Sequence, residues 1–477
     1  MTRRVVGPFN RVEGDLEVTL DSDADGLVTE ARVTAPLYRG FETILTGRAP
    51  LDALVIAPRI CGICSISQSV AAARALSQAL GVEPPANGRL AADLLLACEN
   101  AADHLTHFAL FFMPDFARAD YTGRVWHDEA VRRFAALKGS SARAASAIRV
   151  KLLHVVGILA GKWPHSLALQ PGGTAKSIDL GERMRLQGVL AEVRAGLEAE
   201  LFGDKLETIA SLSSPEALQA WAARSEAGDL RLFLRIAEDL RLQDWGRGPD
   251  RFLSHGGPLF AAGSWNAGVR SPLDLTGLRE DLDHSWMAGE ALHPRLGVTQ
   301  PDADKPAAYS WCKAPRLGGA SFEVGALARQ LIAANPLAAG LVAASDGRGN
   351  VRDRVTARLV ELAQLILAME GWVKGMGNSG AYCHEPTEEC DSASGVGLVE
   401  AARGALGHWI SVEKGMIQRY QIIAPTTWNF SPRDAEGTPG PLEQALVGVE
   451  VGEAGAKSPA IQHVVRSFDP CMVCTAH

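Results

Sequence analysis

The chain is poor in cysteine, poor in aromatic residues and short of positive charge. Eight cysteines among 477 residues are too few for a disulfide scaffold, which excludes the small secreted classes built on such bridges. Lysine and arginine total 47 against 55 acidic residues, a formal net charge of −8. That balance excludes nucleic acid and anionic membrane as principal partners. No apolar run approaches the length that crosses a bilayer. The start, MTRRVVGPFNRVEGD, has basic residues but no apolar segment after them, so it does not read as a secretory signal. A cytoplasmic, reducing location is the expectation, although a chain exported with a signal-bearing partner would need no signal of its own. An apolar share of 47% is ample for a large core.

Half of the cysteines form two tight pairs, Cys61-Gly62-Ile63-Cys64 and Cys471-Met472-Val473-Cys474, at opposite ends of the sequence. Thiolates so placed serve one site only if the whole fold closes around it. They select soft or borderline metals such as nickel, iron and zinc. On spacing alone, two such pairs most often mean structural zinc. Structural zinc, however, staples small modules from nearby pairs, and this chain is long enough to fold without a staple. Cys98 and Cys312 read as buried thiols. Cys383, His384 and Cys390 read as a loop with incidental ligand types.

The stretch at residues 15–20 alternates apolar and polar, Asp21 to Gly26 supplies turn residues, and 27–35 resumes the alternation: a β-hairpin. From Ser65 the text becomes helical and ends at Gly81 and Pro84. Cys64 therefore sits at a helix N-terminus, where the dipole favours a thiolate. A long apolar helix is expected from about Arg89 to Phe112, with further helices at 128–160, 177–203, 213–242, 322–346 and 352–374. Residues 161–175, 246–275 and 431–460 are looser. No linker divides the sequence, so the expected fold is α+β. It is a single large domain over 1–477, with a helical-bundle core, an N-terminal hairpin, smaller β segments and a metal site buried at the centre.

Around the cysteines lie Arg11-Val12-Glu13-Gly14, Tyr38-Arg39-Gly40-Phe41-Glu42, and Tyr309 to Arg316. Later come Glu400 to Trp409 and Pro425-Thr426-Thr427-Trp428-Asn429. With these motifs in this order, the chain resembles the large subunit of a nickel–iron hydrogenase nearly end to end. The resemblance implies Cys61 and Cys471 as terminal nickel ligands, and Cys64 and Cys474 as bridges from nickel to iron. It also implies carbon monoxide and cyanide on the iron. It makes Glu13 a proton carrier, and Arg403 a guanidinium over the metals held by Asp103 and Asp469. Glu42, His477 and the backbone carbonyl of Ile422 are implied as magnesium ligands. Splitting dihydrogen heterolytically needs an electrophilic metal and a nearby base, and a thiolate beside a carboxylate supplies the base.

Three departures narrow the subclass. Gln68 stands where catalytic members usually have histidine, Asp15 where the glutamate motif normally has histidine, and Ala402 where proline is usual. Gln68 cannot titrate but can still hydrogen-bond a ligand sulfur. Ile63 and Phe111 match gas-channel positions that are often smaller in catalytic members. Together these resemble the regulatory, hydrogen-sensing branch, which implies a histidine kinase downstream. The alternatives are a catalytic uptake enzyme, the metal-free quinone-site relative in respiratory complex I, and a structural zinc protein. No further cysteine set has iron–sulfur spacing, so electrons from dihydrogen must leave through an iron–sulfur small subunit. Elemental analysis of the purified protein is expected to find nickel and iron; zinc alone in the four-cysteine site would discard the hydrogenase reading.

Overall fold

The computed structural model describes residues 2–377, 379–386, 391–451 and 458–475. Cys390 and His477, the latter expected as a cation ligand, lie outside the described residues.

The chain opens with three antiparallel strands, Thr2–Val6, Glu17–Ser22 and Val28–Thr34, in that spatial order. Alternation sends Val18, Leu20, Val28, Ala31 and Val33 inward, as the pattern at 15–35 dictates. The hairpin is thus a three-stranded sheet. Its first strand has Val5 59% exposed, so the apolar pattern does not announce it.

Helices build the core. Ala86–Thr106 runs straight into one wider π-type turn, His107–Phe112. It packs against Ser140–Ala160 and Val351–Gly375. Several expected helices are split in two. Residues 128–160 form His127–Phe134 and Ser140–Ala160, broken where Leu137 takes a positive φ and Gly139 follows. Residues 213–242 form Pro215–Ala222 and Asp229–Asp239, and 322–346 form Ala326–Ile332 and Pro336–Ala343. In the last case Asn335 caps the second helix through its side chain and Pro336 begins it, a stop-and-restart signal of known type. No single helix among the described residues is long and apolar enough to cross a membrane.

A second antiparallel sheet, Ser392–Ala401, Gly404–Glu413 and Met416–Ile423, has no counterpart in the sequence expectations. It lies directly on the helix Ser65–Ala79. The approach is so close that a Cβ on Gly395 would stand 1.9 Å from the Ala75 carbonyl oxygen, and one on Gly397 1.8 Å from that of Ala71. The helix answers with Ala71, Ala72 and Ala75, all fully buried. Small residues on both sides let backbone meet backbone, which sets the height of the first cysteine pair above the sheet.

Gly397→Ala should therefore lower the thermal midpoint, costing about 1–3 kcal/mol or more by overpacking. Gly188→Ala, in the helix Leu180–Gly196 where a Cβ meets nothing within 4 Å, should raise stability by about 0.4–1 kcal/mol. Calorimetry on the two variants checks both signs.

Candidate metal centre

Each cysteine pair is delivered by a turn and a short helix. The turn Ala57–Ile60 ends in an extended Cys61, and Cys64 then caps the helix Ser65–Ala79. At the other end, the helix Pro459–Ser467 runs into Asp469, whose φ of 58° turns the chain before Pro470 and Cys471. A single-turn helix, Met472–Thr475, carries Cys474. The N-terminal loop closes the arrangement. Glu13 pairs with Cys471 in a parallel bridge, its N–H donating to the Pro470 carbonyl (3.3 Å) while Met472 N–H donates to the Glu13 carbonyl (2.7 Å).

The four sulfurs all lie within 4.8 Å of one another, and all four residues are buried. Cys61 and Cys471 Sγ are 3.4 Å apart, Cys64 and Cys474 3.2 Å, and Cys471 and Cys474 3.1 Å. All are free thiols. Burial holds the Cys471 thiol well above its ordinary range, while hydrogen bonds from the other three cysteines hold Cys61 well below it, so the protein alone does not keep the whole set ionised. A bound cation does, and four soft donors in a dry pocket fit nickel, iron or zinc. Arg39 fixes the two motifs to each other: its guanidinium donates to the Ile60 carbonyl and, at 2.9 Å, to that of Val473. One side chain thus grips the residue preceding a cysteine in each motif.

Beside the sulfurs sits Arg403, 4% exposed. Its Nη1 lies 2.8 Å from Asp103, its Nη2 3.2 Å from the Asp469 carboxylate, and its Nε donates to the Asp469 carbonyl at 3.0 Å. Burial opposes the charge, but the two carboxylates outweigh it and hold the Arg403 pKa well above normal. The carboxylates themselves differ. Burial and the neighbouring Asp469 charge push Asp103 up to about 8 despite Arg403. Asp469, equally buried, is held below the ordinary range by Arg403, His107 and Arg358 together. Glu13 is half-buried, and burial and the Cys61 charge raise its pKa against the pull of Arg403 and Arg39. Its backbone lies against Cys471, as the bridge requires. Among the described residues its carboxylate makes no hydrogen bond to a cysteine sulfur.

Gln68 lies one turn into the helix that Cys64 caps, with its N–H on the Cys64 carbonyl (3.1 Å). Its Oε1 is 2.7 Å from His408 Nε2, and His408 Nδ1 is 2.8 Å from the Tyr420 hydroxyl. Ile63 and Phe111 meet across a cavity of about 30 Å³ that Asp103 also lines, room for roughly one water-sized molecule. Glu42, 1% exposed, accepts the Ile422 N–H at 2.8 Å and the Thr299 hydroxyl. Its charge is answered by Lys313 Nζ, 3.2 Å away, which also reaches Glu280 (3.0 Å) and Gln421 (2.8 Å). Glu42 and Ile422 are therefore neighbours, and the surrounding oxygen donors suit a hard cation.

The sequence reading gave no role to Arg39, Arg466 or Asp115. Asp115 joins Arg11 of the glutamate loop to Arg466 of the helix before the second cysteine pair. Arg39 stands inside a quoted motif and could have been found; Asp115 and Arg466 carry no local signal.

The family model for nickel-dependent hydrogenase matches residues 39–119 and 144–477. The chain is 28% identical to the periplasmic NiFeSe hydrogenase large subunit of Desulfomicrobium baculatum, covering 99% of this chain and 94% of that one. It is 26% identical to the hydrogenase-2 large chain of Escherichia coli K12, over 100% and 97% of the two. It is likewise 26% identical to the uptake hydrogenase large subunit of Rubrivivax gelatinosus, over 100% and 95%. The as-isolated oxidised Ni-Fe-Se hydrogenase of D. vulgaris Hildenborough superposes with a TM-score of 0.85 at 27% identity, over the whole of both chains. With four buried cysteine sulfurs gathered from both ends of the sequence, the chain belongs to the nickel-dependent hydrogenase family as a large subunit.

Proposed function

We propose that the chain is the dihydrogen-oxidising large subunit of an uptake-type nickel–iron hydrogenase that hands electrons to an iron–sulfur small subunit. The observation that carries this is the four-sulfur cluster with Arg403 clamped beside it. Relatives named as uptake and quinone-reactive hydrogenases match along nearly their whole length, which favours the catalytic reading over the hydrogen sensor and its kinase. The sensor reading keeps two observations of its own: Gln68 bound to His408, and the small size, about 30 Å³, of the cavity that Ile63 and Phe111 help to line.

A nickel–iron centre on Cys61, Cys64, Cys471 and Cys474 would supply the electrophile that polarises dihydrogen and an exit for two electrons. The chain's residues do the rest. Glu13, laddered to the Cys471 backbone and with its pKa raised by burial, carries the proton away from that sulfur. Arg403 presents a fixed positive charge that cannot leave, because both of its carboxylate partners are buried with it. Gln68, oriented by His408, lies on the side of the helix that Cys64 begins. Glu42 and the Ile422 carbonyl, with His477, would hold magnesium in an oxygen-rich pocket where Lys313 supplies the positive charge in this structure.

Glu13→Gln keeps the shape and cannot relay a proton. Hydrogen–deuterium exchange should fall about 10²–10⁴-fold while nickel and iron content stays normal; unchanged exchange reassigns the proton route. Arg403→Lys loses the forked contact to two carboxylates and should lower dihydrogen oxidation about tenfold or more. Infrared bands of metal-bound carbon monoxide and cyanide identify the centre itself. Turnover in air separates the subclasses. An uptake enzyme should turn over rapidly under dihydrogen, whereas slow, air-resistant activity that becomes air-sensitive in Ile63→Val/Phe111→Leu would restore the sensor reading.

A further inference from the structure

The sheet formed by residues 392–423 turns one face to the helix Ser65–Ala79 and the other away from it. Its register sets Ser394 opposite Ser411, and Ser411 opposite Arg419. Side chains paired across neighbouring strands share a face, so these three form one row across the sheet. The register slips between Ser411 and Val412, an irregularity of the kind that re-aims side chains. Pro294, Arg295 and Leu296 overhang the row, and with Trp409 they enclose a cleft of about 230 Å³.

The chemistry of this cleft is one-sided. Two arginines and two serines line it, and no carboxylate does. Among the described residues neither Arg295 nor Arg419 forms an ion pair. Arg419 Nε and Ser411 Oγ are shut off from solvent without a hydrogen-bond partner. A buried guanidinium N–H and a buried hydroxyl left unpaired on adjacent strands are costly, and the residues that carry them line the cleft beside Arg295 with no carboxylate to answer either guanidinium. The field there is positive as well. Burial, then Arg295 and Arg279, lowers the pKa of His293, whose ring stands edge-on to Trp409 at 6.5 Å.

We propose that this cleft is a binding site for a small oxyanion of phosphate type, held by the Arg419 and Arg295 guanidiniums and by the exposed Ser394 hydroxyl. Planar guanidinium forks match oxyanion geometry, and a serine hydroxyl can donate to a remaining oxygen. Size sets the class. At 230 Å³ the cleft falls below the roughly 300–1,000 Å³ of pockets that take nucleotide- or drug-sized molecules, so it suits an inorganic anion. It is separate from the sulfur cluster: none of its lining residues is a cysteine or touches Arg403's carboxylates.

The test is calorimetric titration of inorganic phosphate into the purified protein with its small subunit, against chloride at matched ionic strength. Saturable one-site binding of phosphate but not chloride is expected. Arg419→Gln and Arg295→Gln should each weaken it about tenfold or more, the loss of one charge-assisted contact. Ser394→Ala should weaken it less, and none of the three should alter nickel content. No saturable heat in the wild type, equal heats with chloride, or undiminished binding in the Arg295→Gln/Arg419→Gln double variant would each overturn the proposal.

Discussion

The structure depends on keeping four ionisable sulfurs close together in a dry interior. Within 4.8 Å of one another, they cannot all carry charge unless a cation joins them, and burial alone pushes the Cys471 thiol the wrong way. The protein's part is to make their separation impossible. The Glu13 bridge pins the second motif to the N-terminal loop. Arg39 ties the backbone before Cys61 to that before Cys474. Asp115 ties the loop of Arg11 to the helix of Arg466. Each tie joins segments remote in sequence, and none uses a ligand atom.

Buried arginines extend the same logic outward. Arg403 is held by Asp103 and Asp469, and the backbone that carries it is held by another arginine. Arg329, fully buried, donates to Glu361 and Glu400 and to the carbonyls of Ala401 and Ala402. The residues immediately before Arg403 are thereby fixed. Breaking such a pair by removing one partner leaves an uncompensated charge and costs about 3–5 kcal/mol. Ion pairs of this sort are poor sources of net stability, but they hold a guanidinium in a single orientation, which a site facing developing charge requires.

How much of this was legible in the sequence follows from range. The alternation at residues 15–35 and the apolar periodicity of Ala86–Thr106 are local signals, and both elements stand where they point. The splits at Leu137, Gly228 and Asn335 are local too, but each is a two- or three-residue break inside a longer helical texture, easily read through. The sheet at 392–423 escaped because Gly395, Gly397, Gly404 and Gly407 dilute its apolar pattern. Gly395 and Gly397 are there for a helix more than three hundred residues earlier, whose Arg74 also reaches the Leu398 carbonyl, while Gly404 makes room for Val324 and Gly325, and Gly407 for Trp409. Cys61, Cys64, Cys471 and Cys474 were legible as a set through spacing and motif. The partners of Glu42 were not, since Lys313, Glu280 and Gln421 come from three further segments.

Cys61 and Cys471 are 410 positions apart in the chain, and that distance governs the order in which the centre can form. The first pair belongs to a helix that can settle early on the helix Ala86–Thr106 that follows it, whereas its sheet comes more than three hundred residues later. The second pair reaches it only after everything between has folded, because contacts of such long loop length form late. Until then Cys61 and Cys64 stand in an open half-pocket. Metal has its easiest access in that interval, before the helix Pro459–Ser467 and the turn after it swing down. The last step of folding is thus also the closing of a door, and a centre loaded afterwards would have to enter through a protein already shut.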